Sequence, residues 1–215
     1  MGMQEYNEAS TQRIKDFLKD YKMNIKNDGK DNAYIFGTHF SNPIFICHYL
    51  VRVFPFTNTH IELQGNNFDN PNRLFVDITH TINSTLTSKH DIRELIPEFF
   101  YFPEMFYNYN DFNFGNYNIK ENLYRVHDFC CPKWSKEYEG KDGYTFIYKF
   151  RQVLEHKMIS NTIHNWFEII FGNKQHSEES RNIYIKESYE SFESEFNSKS
   201  PIEKEECLRK IEFGV

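Results

Sequence analysis

Three of the nine histidines, with four glutamates, are the residues whose types could do chemistry. His39, His48 and His60 recur at loose intervals, and Glu62 follows His60 by two positions. A helical zinc hydrolase site needs His-Glu-x-x-His, which sets two imidazoles on one face beside a carboxylate base. The run His60-Ile61-Glu62-Leu63-Gln64 does not have that spacing, and metal ligand sets are tightly spaced. No metal and no cofactor is expected, and the histidines read as side chains that satisfy buried backbone groups. Glu62, Glu94, Glu98 and Glu104 stand in apolar sequence neighbourhoods. Buried carboxylates can be general acids or bases. They can equally be structural ions paired with Arg52, Arg73, Arg93 or Lys174, which irregular buried chain would need. No nucleophile elbow, phosphate loop or metal motif accompanies them. The structural reading is therefore preferred and no catalytic residue is assigned. An orphan hydrolase using a buried Glu/His site remains the enzymatic alternative.

Aromatic residues offer a different chemistry, that of contact. They make up 18% of the 215 residues, and each ring buries a large area. Trp166, Phe167 and Phe171 read most simply as core, although Trp is also enriched at binding hot spots. The stretch from Met105 to Tyr117 interleaves Phe106, Tyr107, Tyr109, Phe112, Phe114 and Tyr117 with asparagines. A stacking platform for single-stranded nucleic acid would need positive charge among the rings, and there is none. A partner-binding loop, or packing under the core, fits better.

Composition narrows the classes further. The net charge is −6 and the pI about 5.9, and no basic stripe is visible along the chain, so no nucleic acid is expected. An anionic membrane is a poor direct target without a polybasic cluster, so any membrane association is expected to be indirect, through protein partners. Cys47, Cys130, Cys131 and Cys207 fit neither a disulfide framework nor paired zinc knuckles. The start, Met1-Gly2-Met3-Gln4-Glu5, does not read as a signal peptide, and Tyr6 spoils the myristoylation pattern that Met1-Gly2 opens. The apolar stretch from Ile44 to Phe56 is broken by His48, Arg52 and Pro55 and is too short to span a bilayer. A reducing, cytoplasmic setting follows.

The elements that must position these residues are mostly helical. Ile14, Phe17, Leu18, Tyr21 and Ile25 mark a helix over 8–25, stopped by Asn27-Asp28-Gly29. Ser41 and Asn42 before Pro43 start a helix to about Val53. Asn70-Pro71 starts another over 71–88, with Leu74, Phe75, Ile78, Ile82 and Leu86 on one face. Prolines 97 and 103 exclude a long helix or central strand from 91–118, so irregular buried chain is predicted there, with a loop over 108–115. Helical spacing returns at Phe146, Ile147, Phe150, Val153, Leu154 and Met158. A short helix fits 161–171, with Ile163, Trp166, Phe167 and Ile170 inward and Gly172 as its cap. The polar run 176–199 is a solvated helix or a mobile segment, where phosphorylation would add repulsion. Ser200-Pro201-Ile202-Glu203 is a capping box opening a last helix seated by Ile202, Cys207, Leu208 and Ile211. No solenoid or propeller repeat is present.

Several runs, taken together and in this order, resemble the signatures of BEACH (beige and Chediak–Higashi) domains. They are Phe36-Gly37-Thr38-His39-Phe40-Ser41, Arg52-Val53-Phe54-Pro55-Phe56-Thr57 and His60-Ile61-Glu62-Leu63-Gln64. Phe68-Asp69, Arg73-Leu74-Phe75 and the run from Glu94 to Glu104 follow. Trp166-Phe167-Glu168-Ile169-Ile170-Phe171-Gly172-Asn173-Lys174-Gln175 closes the series. The resemblance covers nearly the whole chain and implies a mainly α fold, with helices around a core of irregular extended segments. It implies a single domain over 1–215 and a non-enzymatic protein-interaction scaffold in vesicle or endolysosomal traffic or autophagy. Met1-Gly2 aligns with a Met-Gly well inside the usual domain. The opening segment, with its Asn-Phe-Glu-Tyr-Leu and Phe-Pro-Trp type runs, has no counterpart, nor do the flanking pleckstrin-homology-like domain and WD40 repeats. A truncated domain is thus expected, with a pleckstrin-homology-like domain or the missing segment as candidate partners. A remnant without independent function is the second alternative. The expectation places the chain in the cytoplasm, peripheral on endolysosomal or vesicle membranes, with no small-molecule substrate. His39, Arg52, His60, Glu62, Arg73, Glu94, Glu98, Glu104, Trp166 and Lys174 are its structural or partner-surface candidates.

Overall fold

The structure, a computed structural model, describes residues 8–119, 122–132 and 142–214. Met1 and Gly2, on which the lipidation pattern and the start of the resemblance rest, lie outside them. Helix accounts for 56% and strand for 7% of the described residues, so the fold is mainly α, as the resemblance implied. The chain forms two compact units. One comprises Met1–Pro43, Ser84–Glu94 and Asn161–Val215, and the other Ile44–Asn83 and Leu95–Ser160.

The first unit is built on α1 (Glu8–Asp28). Its Ile14, Phe17 and Tyr21 are buried, the spacing a helix needs to keep one face inward. Gly29, at φ 81°, ends it in a conformation that favours glycine. Phe17 and Tyr21 pack with Ala33, Ile35 and Ile183. Arg13 ties the 84–94 stretch to α1 by donating to the carbonyls of Ser88 at 2.7 Å and Asp91 at 2.9 Å. The run 176–199 departs from the solvated segment predicted for it. Asn182, Ile183, Tyr184 and Ile185 are all buried, because this stretch lies extended and forms a parallel bridge from Tyr184 to Phe36. Beyond it come α8 (Glu193–Ser198) and α9 (Pro201–Phe213). The capping box forms as predicted, with Ser200 Oγ accepting from Glu203 N and Glu203 Oε2 accepting from Ser200 N at 2.9 Å. Only part of the predicted inner face of α9 is buried. Cys207 is inward, while Ile202 and Leu208 are exposed.

The second unit holds α2 (Pro43–Tyr49) from Ile44 onward, α3 (Phe56–Leu63), α4 (Ile78–Thr87) as far as Asn83, α5 (Asp142–Leu154) and α6 (Lys157–Ser160). Two predicted helices are shorter than expected, for one physical reason. Tyr49, Leu50, Val51 and Arg52 are buried in succession, which a helix with a single inward stripe cannot do, so α2 stops at Tyr49 and α3 follows a turn. Leu74 and Phe75 are likewise adjacent and both buried, in separate clusters. Extended chain sends neighbours to opposite sides, so only a 3-10 turn forms at Pro71–Arg73 and α4 begins at Ile78. The predicted irregular chain is there. Pro97 and Pro103 each open a 3-10 turn, at the position where proline's missing N–H costs nothing. The main core joins Tyr49, Ile78, Phe146 and Ile147 from helices to Phe75, Ile96, Phe99, Met105, Phe106 and Phe129 from non-α chain. Its rings interlock, with Phe75 to Phe129 at 4.5 Å, Phe106 to Phe129 at 4.6 Å and Phe146 to Phe150 at 4.2 Å. A hairpin that the sequence did not announce, β1 (Asn116–Ile119) with β2 (Asn122–Arg125), pairs Asn116 with Arg125 and Ile119 with Asn122.

Candidate interaction surface

In the first unit the sequence concentrates aromatic side chains around α7 (Ile163–Ile170). The bridge to Tyr184 fixes the 36–42 segment, since Ile35 N and Phe36 N both donate to Ile183 O and Ile185 N donates to Phe36 O. The same stretch latches the end of α7. Asn182 Nδ2 donates to Ile169 O at 2.5 Å and to Lys174 O at 3.2 Å, and Tyr189 Oη donates to Gln175 O at 3.0 Å. Gly172 N donates to Phe167 O at 3.0 Å, so Gly172 does help close the helix. Its φ is not positive, and glycine is required there because the backbone passes close to Glu168.

This scaffold gathers a ring cluster. His39 lies 4.5 Å from Phe40 and 4.8 Å from Tyr184, Phe40 6.1 Å from Trp166, and Phe171 6.0 Å from both Phe40 and Trp166. His39 Nδ1 meets Ser41 Oγ at 2.6 Å. Burial pushes its imidazole below the ordinary histidine range, with the Ile170 backbone pulling weakly the other way, so it is neutral among neutral rings. The expectation that Trp166, Phe167 and Phe171 are core is corrected. Trp166 is half-buried, but Phe167 is 48% and Phe171 59% exposed. One helical turn apart, they crown the cluster with an apolar face whose base is rigid. Such a face can receive an apolar side chain.

Arg52 and His60 belong to the second unit. Arg52 is 1% exposed. It donates from Nε to His127 O and from Nη1 to Phe75 O, both at 2.8 Å, and lies over the Phe114 ring at 5.3 Å. Desolvation lowers its pKa to about 10, against a smaller opposing pull from Asp128, so it stays charged at neutral pH. It holds two stretches of non-helical chain whose carbonyls have no ladder. His60, 2% exposed, accepts from Asp69 N at 3.4 Å through Nε2, so it does satisfy a backbone group. Asn108 was not singled out in the sequence. It clamps the chain by donating to Phe112 O at 2.9 Å and accepting from Phe112 N at 3.0 Å, while Asp128 accepts from its backbone N–H at 2.7 Å. The asparagine density of the 108–118 run was the available signal.

The predicted ion pairs form differently. Arg73 pairs with Asp69, Arg93 with Asp91, and Arg52 with carbonyls. Among the described residues none of these arginines pairs with Glu62, Glu98 or Glu104. Glu62 is exposed on α3. Glu98 is half-buried and accepts from Tyr101 Oη at 3.1 Å. Glu94 and Glu104 are half-buried. Lys174 is exposed, and it is its carbonyl that the fold uses. His39, Trp166, Lys174 and Glu94 thus fall in one unit and the other six candidates in the second, and only His39 and Trp166 share a cluster. Among the described residues no group of three His, Cys, Asp or Glu could hold a metal ion, and the four cysteines are free thiols.

Helices joined through irregular, ring-filled core segments, with a buried arginine bonded to backbone, define the class. The Beige/BEACH domain model matches residues 3–214, and the chain belongs to that family. It is 38% identical over 180 residues to Beige protein homolog 1 of Schizosaccharomyces pombe, which covers 79% of this chain and 7% of that protein. It is 41% identical over 181 residues to the Lysosomal-trafficking regulator of Drosophila melanogaster, covering 80% and 5%. BEACH domain-containing protein B of Arabidopsis thaliana is 35% identical over 161 residues, covering 74% and 6%. The chain therefore spans less than a tenth of each of these curated relatives.

Proposed function

We propose that this chain is a protein-interaction module that acts as a scaffold in vesicle and endolysosomal traffic, including autophagy, and works by holding partners rather than by turnover. The name of the Drosophila relative supports the trafficking reading. The observation that carries the interaction reading is the exposed Phe167–Phe171 pair on a base fixed by Phe40, Trp166 and Asn182. An apolar patch on a rigid support marks a contact surface. The candidate partners are a pleckstrin-homology-like domain or the family's opening segment, and the module operates as one domain in the cytoplasm, peripheral to membranes. No helix among the described residues is long and apolar enough to cross a bilayer.

The test is quantitative affinity capture from cytosol with the wild-type chain and with Phe167→Ser/Phe171→Ser. Both rings are largely exposed, so the variant should keep its circular dichroism spectrum and lose its stoichiometric partners. If the two chains retained identical proteins in equal amounts, the patch would not be the partner surface.

A further inference from the structure

The outer face of α1 carries a feature that the linear sequence disguised. Lys15, Lys19, Lys22 and Lys26 are all exposed, and at about 100° per residue they fall within about 60° of arc, along roughly 16 Å of helix. With Leu18 and Met23 they line one open surface. No described carboxylate stands in ion-pair range of any of the four. The acids between them are turned aside and half-buried. Asp16 accepts from Gln12 at 2.9 Å, and Asp20 pairs with Lys89 at 2.5 Å. The expectation that the chain lacks a basic stripe is thereby corrected for this face. A molecule of net charge −6 presents a continuous positive ridge here.

We infer that this face of α1 docks directly on an anionic membrane surface, through lysine contacts to lipid headgroups. Charge complementarity selects an anionic occupant. The shape favours a membrane, because every residue that lines this shallow, open depression comes from the one helix, and no second element supplies a wall to enclose an acidic peptide. The side chains agree. Leu18 and Met23 flank the lysines, and Met23 is 52% exposed, placing apolar groups at headgroup depth while lysine stems extend along them. Nucleic-acid surfaces interleave aromatic or arginine side chains, and this face has neither. The opposite face, Ile14, Phe17 and Tyr21, stays buried in the core, so α1 lies on the membrane without leaving the fold. The contact follows from the lysines whether or not the aromatic patch binds a protein.

Co-sedimentation of the full chain with vesicles tests this. Vesicles of phosphatidylcholine with phosphatidylserine should bring the chain down, those of phosphatidylcholine alone should not, and high salt should release it. Lys19→Gln/Lys22→Gln should lower the partition coefficient about fivefold for each lysine. Arg151→Gln/Lys157→Gln makes the same charge change at exposed positions elsewhere and should leave it unchanged. Lys19→Gln alone, checked by circular dichroism, guards against a fold defect in the double variant. The inference is overturned if anionic vesicles do not bind, if both double variants lose binding equally, or if polyglutamate or an oligonucleotide displaces the vesicles at equal charge.

Discussion

Arg52 and His60 show how this chain solves a problem set by its own irregular core. Non-helical buried segments leave carbonyls and amides without ladder partners, and an unpaired buried group costs about 1–3 kcal/mol. Arg52 answers two carbonyls at once from a rigid planar fork, which lysine's compact ammonium on a flexible stem lacks. His60 answers one amide with a neutral nitrogen, and its neutrality has a measurable consequence. Burial pushes its pKa below the histidine value of about 6.5 that the unfolded chain has, with Asp69 opposing weakly. The unfolded chain then binds the proton more readily than the folded one. The stabilisation is fully present above about pH 6.5 and is lost as pH falls through that value toward the depressed folded pKa, below which the loss levels off. His39 is shifted in the same direction and adds to the slope. The urea midpoint should therefore fall between about pH 7.5 and about pH 5, and His60→Gln, which keeps an acceptor for the Asp69 amide, should flatten part of that fall. Parallel profiles for the two proteins would show that His60 is not a source of the dependence.

Among the elements, α7 is closed by Gly172 at an unusually tight approach of the backbone. A Cβ there would lie 2.8 Å from Glu168 Cα and 2.9 Å from Glu168 O, both backbone atoms that cannot swing away. Gly172→Ala should cost about 1–3 kcal/mol, the usual range for overpacking, read as a lower urea midpoint with the slope unchanged; an unaltered midpoint would mean that the turn after α7 yields freely. The sequence pointed to Gly172 as a cap, but the tight contact was invisible without the path of the chain. The same boundary recurs elsewhere. The α1 face, the capping box of α9 and the irregular chain around Pro97 and Pro103 were legible, because local periodicity and a few residue types dictate them. The stops of α2 and of the helix expected over 71–88 were not, since they come from burying adjacent residues such as Leu74 and Phe75, a tertiary demand that overrides local pattern. Asn182 to Ile185 looked solvated because three apolar residues were averaged into a polar run. The lysine face of α1 is invisible in the linear order, where Lys15 and Lys19 stand beside Asp16 and Asp20, because only the helix separates what the sequence interleaves. At the candidate surface, His39 and Trp166 were found from family runs, whereas the exposure of Phe167 and Phe171 needed the helix orientation.

At the scale of the whole molecule, connectivity matters as much as packing. The first unit is assembled from three separate stretches of chain and the second from two, so neither can be excised as one continuous piece. The stretches of the first unit are joined through Ile44–Asn83 and Leu95–Ser160. If those segments unfolded alone, the first unit would have to hold its parts together across long flexible loops. Loop closure costs entropy that grows with loop length, by about 0.6 kcal/mol for each doubling, and the small core around Phe17, Tyr21, Ala33, Ile35 and Ile183 has little to set against it. Loss of the second unit should therefore bring down the first, and unfolding should be a single transition. With Trp134→Phe leaving Trp166 as the sole tryptophan, fluorescence reports on the first unit while far-ultraviolet circular dichroism reports on all helices. Coincident urea midpoints and slopes are expected. A fluorescence transition displaced to higher urea than the dichroism would mean that the first unit is stable in its own right. Its aromatic patch and lysine face could then be studied, and could act, independently of the segments that interrupt it.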